Sequence, residues 1–403
     1  MRLESLTLLF FLAALVVVGA RLGFSSLDSL NGRFSGFRVL AETGTPFIAI
    51  GALVGPQVLN ILSAELLREL SSLLILGFGL IGFLYGSHFE WRRMRLFPSR
   101  LYWAAAFQSV FTLGVVALVY WVAIPWMHPG TDRMLALAVA LAMGACAAGT
   151  APAGVFLLAA SRRVRRADIQ VLRFFAAVDD LPALVMLVVI FSMVYPGEAP
   201  LLLVGWQRLL LPLALGLLIG LVTHWLFPTS GDERQNTLIL LGMAAAGSGA
   251  SALLAVSPLF VGVVAGIMFG NLSTRKESAY GLLASREHSF YAVFLLVAGA
   301  MFRFKGTRAL LVLAPAYVLV RGLAKVGGGY LGRQLFMRHT RVSKSIGAGL
   351  LSQGGMPLVL AVHFEHSLGV SLTYLVMTSF LVAVLINDVL ASSIATAILR
   401  RRQ

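Results

Sequence analysis

The sequence predicts an all-α polytopic membrane protein of about thirteen transmembrane helices, and three observations lead to this fold class. The chain has 403 residues, of which 59% are hydrophobic and 12% charged, whereas soluble globular proteins carry about 25% charged residues. Apolar runs recur along the whole length, each able to cross a hydrocarbon layer of about 30 Å. The segments between them are short and polar. With a single cysteine, the composition excludes an ordinary soluble enzyme, a disordered chain and a disulfide scaffold.

Thirteen apolar segments follow one another, and each is predicted to form a helix. They run approximately over residues 5–20, 38–61, 70–89, 101–127, 134–160, 167–194, 201–227, 235–256, 257–273, 288–302, 309–332, 345–364 and 371–399. The first segment has features of a signal peptide, but the basic loop that follows it favours the cytoplasm, so we expect a retained helix. Residues 1–403 are expected to form a single membrane domain without a soluble regulatory domain.

The net charge of +15 lies mainly in the loops, which argues against a nucleic-acid partner and for a lipid one. If the N-terminus is outside, the cytoplasmic loops hold 22 Arg and Lys residues and the outer loops hold 6. Because basic loops stay in the cytoplasm, the N-terminus is predicted outside and the C-terminus inside. The expected location is the cell inner (plasma) membrane.

Two segments contain glycine and proline near their middle, in positions that weaken a helix. The residues concerned are Thr150, Ala151 and Pro152 in segment five and Ser352, Gln353, Gly354 and Gly355 in segment twelve. Such breaks are tolerated in a membrane only where protein or a water-filled cavity satisfies the freed backbone groups. Either break alone could be a packing kink. A matched pair, one in each half of the chain, indicates the binding site of a transporter built from inverted repeats.

Asp179 and Asp180 are adjacent in an otherwise apolar stretch, about 18–20 Å along the helix from its cytoplasmic end. Pro182 cannot donate to the Val178 carbonyl, so the helix is expected to be loosened there. An ionised side chain at this depth costs at least about 2.5 kcal/mol and needs a partner or a function. Two neighbouring carboxyls resist being ionised together, and a carboxylate also binds a small hard cation. The pair predicts a site that holds either a proton or a cation; hydrogen bonding between helices is the structural alternative.

Lys325 is the candidate counter-charge, because it lies about 12 Å from the basic cytoplasmic end and its long stem could reach the aspartates. Snorkelling to the interface is the alternative for this lysine. Arg321, one turn deeper, is a competing partner, and its nearly permanent charge suits a structural ion pair. Asp388, in the last segment, either pairs with Arg208 or Arg321 or lies in a polar niche.

The order of these motifs resembles the monovalent cation/proton antiporter superfamily, especially the bacterial sodium/proton antiporters with thirteen helices and paired aspartates. The motifs are GALVGP at 51–56, TAP at 150–152, AVDD at 177–180 and KVGG at 325–328. The stretch SQGG at 352–355 is similar to the Kef potassium-efflux branch, except that the acidic residue that usually follows is replaced by methionine.

The resemblance implies that Asp180 is the main ligand of the cation and the proton, and that Asp179 exchanges its ion pair with Lys325. Thr150 and the broken backbones near Ser352 and Gln353 would neutralise and line the crossing. It further implies inverted repeats, a dimerisation part, a mobile core part and a homodimer. The implied activity is electrogenic antiport of sodium or lithium, with potassium second, without a cofactor and without enzyme activity.

Two other function classes are alternatives to antiport: an intramembrane protease, and an organic-anion carrier or a channel of related architecture. An intramembrane aspartyl protease needs its carboxyls on different helices, and AGSG at 246–249 lacks the first glycine of a rhomboid-type serine motif. An organic-anion carrier would favour cationic groups over a pair of carboxylates. His363 and His366 share a helix face but lack a third metal ligand, so a solvated helix end is expected for them. Cys146 is expected to be a packing residue.

Overall fold

A computed structural model describes residues 45–160, 164–194, 205–227, 233–273, 291–301, 307–368 and 371–399. Within these residues the chain is helical and contains no β-strand, which confirms the predicted fold class. The predicted segment 5–20 lies outside the described residues. Every other predicted segment contains at least one helix.

The helices follow the order and the approximate limits of the predicted segments. They are α1 (Thr45–Val54), α2 (Ala64–Glu69), α3 (Ser71–Ser87), α4 (Trp91–Met94), α5 (Ser99–Met127), α6 (Arg133–Ala148), α7 (Pro152–Ala160), α8 (Arg166–Val178), α9 (Leu181–Val194), α10 (Gly205–Leu226), α11 (Glu233–Leu253), α12 (Pro258–Leu272), α13 (Tyr291–Ala300), α14 (Thr307–Phe336), α15 (Met356–Leu368) and α16 (Ser371–Leu399). Among the described residues, 5 continuous helices or interrupted helix pairs are long and apolar enough to cross a membrane. Several shorter apolar helices accompany them.

The two predicted breaks cross each other in the middle of the molecule. In segment five, α6 ends at Ala148 and α7 begins at Pro152. The first position of a helix accepts proline, because the N–H that proline lacks has no helical partner there. In segment twelve, a short 3-10 helix, Ile346–Leu350, is followed by non-helical backbone before α15. The amide of Ala151 donates to the carbonyl of Ser352 at 3.1 Å, which joins the two interruptions directly. The prediction of two broken crossing helices is therefore confirmed.

A third interruption lies at the aspartate pair. The sequence predicts only a loosened helix beside Pro182, whereas the structure ends α8 at Val178 and starts α9 at Leu181. Asp179 and Asp180 therefore form the turn between two helices, with the amide of Leu184 donating to the Asp180 carbonyl at 3.0 Å.

The helices form two packed groups. The first group contains α3, α10, α11 and α12, and its centre is a close contact between α3 and α12. A Cβ atom at Gly82 or Gly86 of α3 would overlap a backbone carbonyl of α12, and one at Gly262 or Gly266 of α12 would overlap a carbonyl of α3. Glycine lets the two backbones touch along this contact, which we call the glycine seam.

The second group surrounds the crossing. It consists of α5 to α9, α14, α15 and α16 together with the 3-10 helix. Its hydrophobic core includes the buried face of α6 and continues into α3, α12 and α13. Fewer contacts join this group to the first one, mainly through α9. The aspartates and both broken helices belong to the second group.

Candidate functional site

Four residues predicted as site residues meet at the crossing. Thr150 comes from the first interruption, Asp179 and Asp180 from the turn between α8 and α9, and Lys325 from the middle of α14. All four are buried, with exposed fractions of 1%, 0%, 3% and 0% respectively. Three separate parts of the chain therefore place an amine, a hydroxyl and two carboxyls in one buried site.

Asp179 forms a buried ion pair with Lys325. Its Oδ2 accepts a hydrogen bond from Lys325 Nζ at 3.0 Å and one from Thr150 Oγ1 at 2.5 Å. The amine also donates to Thr150 Oγ1 at 2.9 Å and to the carbonyl of Ala148. Ser109 Oγ donates to the Asp179 carbonyl at 2.5 Å, which fixes the backbone of the turn. The Asp179 carboxylate is therefore neutralised by a lysine that is itself held against the first broken helix.

Asp180 stands in a different environment from its neighbour. Among the described residues no ion pair reaches its carboxyl, and Oδ1 is a buried oxygen without a hydrogen-bond partner. This oxygen lies against the first interruption, where a Cβ at Gly149 would overlap it. A buried carboxylate without a counter-charge is strongly unfavourable, so this group needs a proton or a cation to neutralise it.

Arg321 does not pair with Asp179 in this structure but binds the backbone of both interruptions. Its Nε donates to the Ala147 carbonyl at 3.1 Å, Nη2 to Gly149 at 2.8 Å and Nη1 to Leu351 at 2.6 Å. The guanidinium is completely buried. It therefore supplies donors to carbonyls that lost their helical partners, and its charge lies at the C-terminal end of α6, where a cation is favourable.

Gln353 connects the second interruption to three neighbouring segments. Its Nε2 donates to the Cys146 carbonyl and to the Tyr317 hydroxyl, both at 2.8 Å, and its Oε1 accepts from Asn387 Nδ2 at 3.2 Å. Every hydrogen-bonding group of this amide is used, which fixes the crossing in place. Cys146 itself is buried and unpaired, as expected of a packing residue.

Asp388 lies in a polar niche at the second interruption. Its Oδ1 accepts a hydrogen bond from the backbone N–H of Gln353 at 3.0 Å and lies 3.5 Å from Ser352 Oγ. Gly354 and Gly355 complete the break, and Gly355 has φ +62°, a left-handed conformation that favours glycine. The predicted residues of the second interruption are thus brought beside the first one.

Sequence reasoning missed Ser109, Tyr317, Asn387 and Tyr85. The first three form hydrogen bonds with site residues, as described above, and the buried hydroxyl of Tyr85 interacts electrostatically with Asp180. The available signal was weak, because each is a single polar group in an apolar segment and packing alone decides which way it faces.

The expectation of a solvated end at His363 is wrong. The side chain is 1% exposed, because α15 continues through the core beyond this residue. Its ring stacks on Phe191 at 5.0 Å between centroids and meets the edge of Phe78 at 4.2 Å. Both ring nitrogens lack a hydrogen-bond partner. The described residues contain no group of three or more His, Cys, Asp or Glu side chains able to hold a resident metal ion.

Comparisons with known proteins identify the family and the fold. Residues 43–401 match the family model described as the transmembrane region of sodium/hydrogen exchangers. The sodium proton antiporter MjNhaP1 from Methanocaldococcus jannaschii, solved at pH 8, superposes with a TM-score of 0.64 at 15% identity, covering 98% of this chain and 97% of that one. A structure of the same protein from electron microscopy gives 0.61 at 15% identity, covering 99% of each chain. No curated protein matches the sequence.

Proposed function

The chain belongs to the sodium/hydrogen exchanger family, and from this premise we propose that it exchanges sodium or lithium for protons at the Asp179–Asp180 site. Members of this family are transporters, so the protein is a multi-pass membrane antiporter of a monovalent cation and protons, and not an enzyme. Membership of a transporter family therefore excludes the intramembrane protease. Potassium is the second candidate cation, because SQGG at 352–355 is similar to the potassium-efflux branch.

The contrast between the two aspartates supports this site most directly. Asp179 is neutralised by Lys325, whereas no cationic side chain pairs with Asp180 among the described residues, so Asp180 needs a proton or a cation. When Asp180 releases its proton, the site gains a negative charge that attracts a cation. When a proton returns, that charge is lost and the cation leaves. Because one carboxylate cannot hold both, the two fluxes are coupled in opposite directions.

The ion pair gives a physical reason for electrogenic exchange. With Asp180 protonated and Lys325 charged, the site is neutral overall. Cation binding between the two carboxylates competes with the amine for Asp179, and a buried lysine that loses its partner releases its proton readily. The cation-loaded site then carries one negative charge. The two loaded states differ in charge, so each cycle moves charge across the membrane.

The two packed groups of helices support a division into parts. We assign the group with the glycine seam to a dimerisation part and the group with the crossing to a mobile core part of a homodimer. The distribution of 22 basic loop residues against 6 supports an N-terminus outside and a C-terminus in the cytoplasm of the inner membrane.

The test is a pH-dye assay in everted membrane vesicles to which sodium, lithium, potassium or choline chloride is added. We expect proton movement with sodium and lithium, and none with Asp180→Asn. Asp132→Asn is the matched control, because Asp132 caps α6 at an exposed position and asparagine is an equally good cap. A response to potassium alone would show that potassium, and not sodium or lithium, is the exchanged cation. Full activity of Asp180→Asn in protein that inserts normally would refute the site.

A further inference from the structure

Residues 88–98 connect α3 to α5 and contain α4; we call this segment the connector. Since α5 is long and apolar enough to cross a membrane, the connector lies where this helix leaves the hydrocarbon. Three of its apolar side chains are exposed: Trp91 by 58%, Leu96 by 81% and Phe97 by 44%. Such a cluster is unfavourable in water, whereas apolar and aromatic side chains at the membrane surface insert into the lipid interface. The exposed side chains therefore fit a position on the membrane surface.

The same short stretch carries a concentration of positive charge. Arg92, Arg93 and Arg95 are exposed and lie within about 5 Å of each other along the axis of α4, and the exposed Arg100 follows in the first turn of α5. Glu90 is the only acidic residue of the connector, and its Oε2 pairs with Arg93 Nε at 3.1 Å. Among the described residues, no carboxylate pairs with the other three arginines. The connector therefore presents three positive charges without a counter-charge.

Hydrogen bonds fix the backbone of the connector at both ends of α4. The N–H of Trp91 donates to Asn271 Oδ1 at 2.8 Å, and Asn271 Nδ2 donates to the Phe89 carbonyl at 2.7 Å. Asn271 belongs to the last turn of α12. At the other end, the Tyr102 hydroxyl of α5 donates to the Met94 carbonyl at 2.7 Å. The arginines thus project from a backbone that is already held in place, which lowers the entropy lost when they bind a ligand.

We propose that the connector is a binding site for the headgroups of anionic phospholipids. Arg92, Arg95 and Arg100 bind the phosphates, because a guanidinium matches two phosphate oxygens at once, while Trp91 and Leu96 insert beside the acyl chains. A zwitterionic headgroup carries its own cation, which the arginines repel, so a headgroup with a net negative charge is preferred. The site lies apart from the aspartates and needs no premise about the exchanged cation.

The test is thermal unfolding of the purified protein in neutral detergent, titrated with phosphatidylglycerol or phosphatidylcholine. We expect stabilisation by phosphatidylglycerol only, and the lipid fraction that gives half of the maximal effect should rise about 25-fold in Arg92→Gln/Arg95→Gln, about fivefold for each arginine. Arg338→Gln/Arg341→Gln is the matched control, because it removes the same charge from two exposed arginines of another loop. An equal rise in both double variants, or equal stabilisation of the wild type by the two lipids, would overturn the proposal.

A second variant separates a lipid from a soluble anion. Leu96→Ser keeps every charge and removes one exposed apolar side chain, so the midpoint for phosphatidylglycerol should rise about tenfold. Inorganic phosphate is the comparison titrant, and we expect it to stabilise neither the wild type nor Leu96→Ser. An unchanged lipid midpoint in Leu96→Ser, or stabilisation by inorganic phosphate that is lost in Arg92→Gln/Arg95→Gln, would show a site for a soluble anion and overturn the lipid assignment. Neither measurement involves transport, so both are independent of the antiport proposal.

Discussion

Asp179 and Asp180 are chemically identical neighbours that lie in different surroundings. The carboxylate of Asp179 accepts hydrogen bonds from a lysine and a hydroxyl, while Oδ1 of Asp180 lies against the first interruption. The sequence indicates that the pair is buried and that Lys325 can reach it, because both follow from depth along a helix. It leaves open whether Lys325 or Arg321 forms the ion pair, since this depends on how α14 is rotated against α6.

Lys325→Gln tests the role of the charge at this position. Glutamine keeps a donor for the Ala148 carbonyl and for Thr150 but carries no exchangeable charge. We expect exchange to become electroneutral, because the proton-loaded and cation-loaded sites then differ by one bound proton against one bound cation. The measurement is the dependence of sodium-driven proton flux on an imposed membrane potential. A variant with the wild-type dependence would remove Lys325 from the charge-moving step.

Each interrupted helix exposes backbone groups that the rest of the chain must satisfy. The carbonyls from Cys146 to Gly149 at the end of α6 accept hydrogen bonds from Gln353, Arg321 and Lys325. The sequence could locate both breaks, because glycine and proline act locally. It could not identify the donors, which come from 172 to 207 residues further along the chain. The same limit explains the His363 error, since burial depends on neighbouring helices.

Arg321→Lys tests the support of the crossing. A lysine amine is a single point and cannot bind Ala147, Gly149 and Leu351 together as the planar guanidinium does. Because buried carbonyls would lose their donors, we expect a loss of stability of about 3 kcal/mol. Thermal unfolding of the purified protein measures this, with the exposed Arg338→Lys as control. Equal unfolding temperatures for the two variants would contradict the role assigned to Arg321.

The whole molecule has a fold that the pattern of apolar segments largely specifies. Segment order and the two broken helices were predictable, and 15% identity to MjNhaP1 is enough to preserve the same architecture. The division into two packed groups is a finding of the structure. Hydropathy could not reveal it, because a helix facing lipid and a helix facing protein are similarly apolar.

Gly82→Ala tests the glycine seam that holds the first group together. The added methyl would overlap the Leu259 carbonyl, so α3 and α12 must separate. We expect a loss of about 1–3 kcal/mol, typical of overpacking. Gly114→Ala is the control, because nothing lies within 4 Å of its Cβ position on α5, and helix propensity there predicts a gain of about 0.5–1 kcal/mol. Thermal unfolding measures the stability of both variants. A loss of stability in both would show that alanine is poorly tolerated in these helices in general, and would contradict a specific role of the seam.

Backbone contact along that same seam also has a practical consequence for spectroscopy. Two helices whose main chains touch have no side chains between them to rearrange, so we expect them to move as one rigid body. The distance between spin labels placed on the outer surfaces of α3 and α12 should therefore stay constant and serve as an internal reference. Labels placed on α3 and α15 report any displacement of α15 relative to this fixed distance, and the change in their separation is measured within one chain, without an external reference frame.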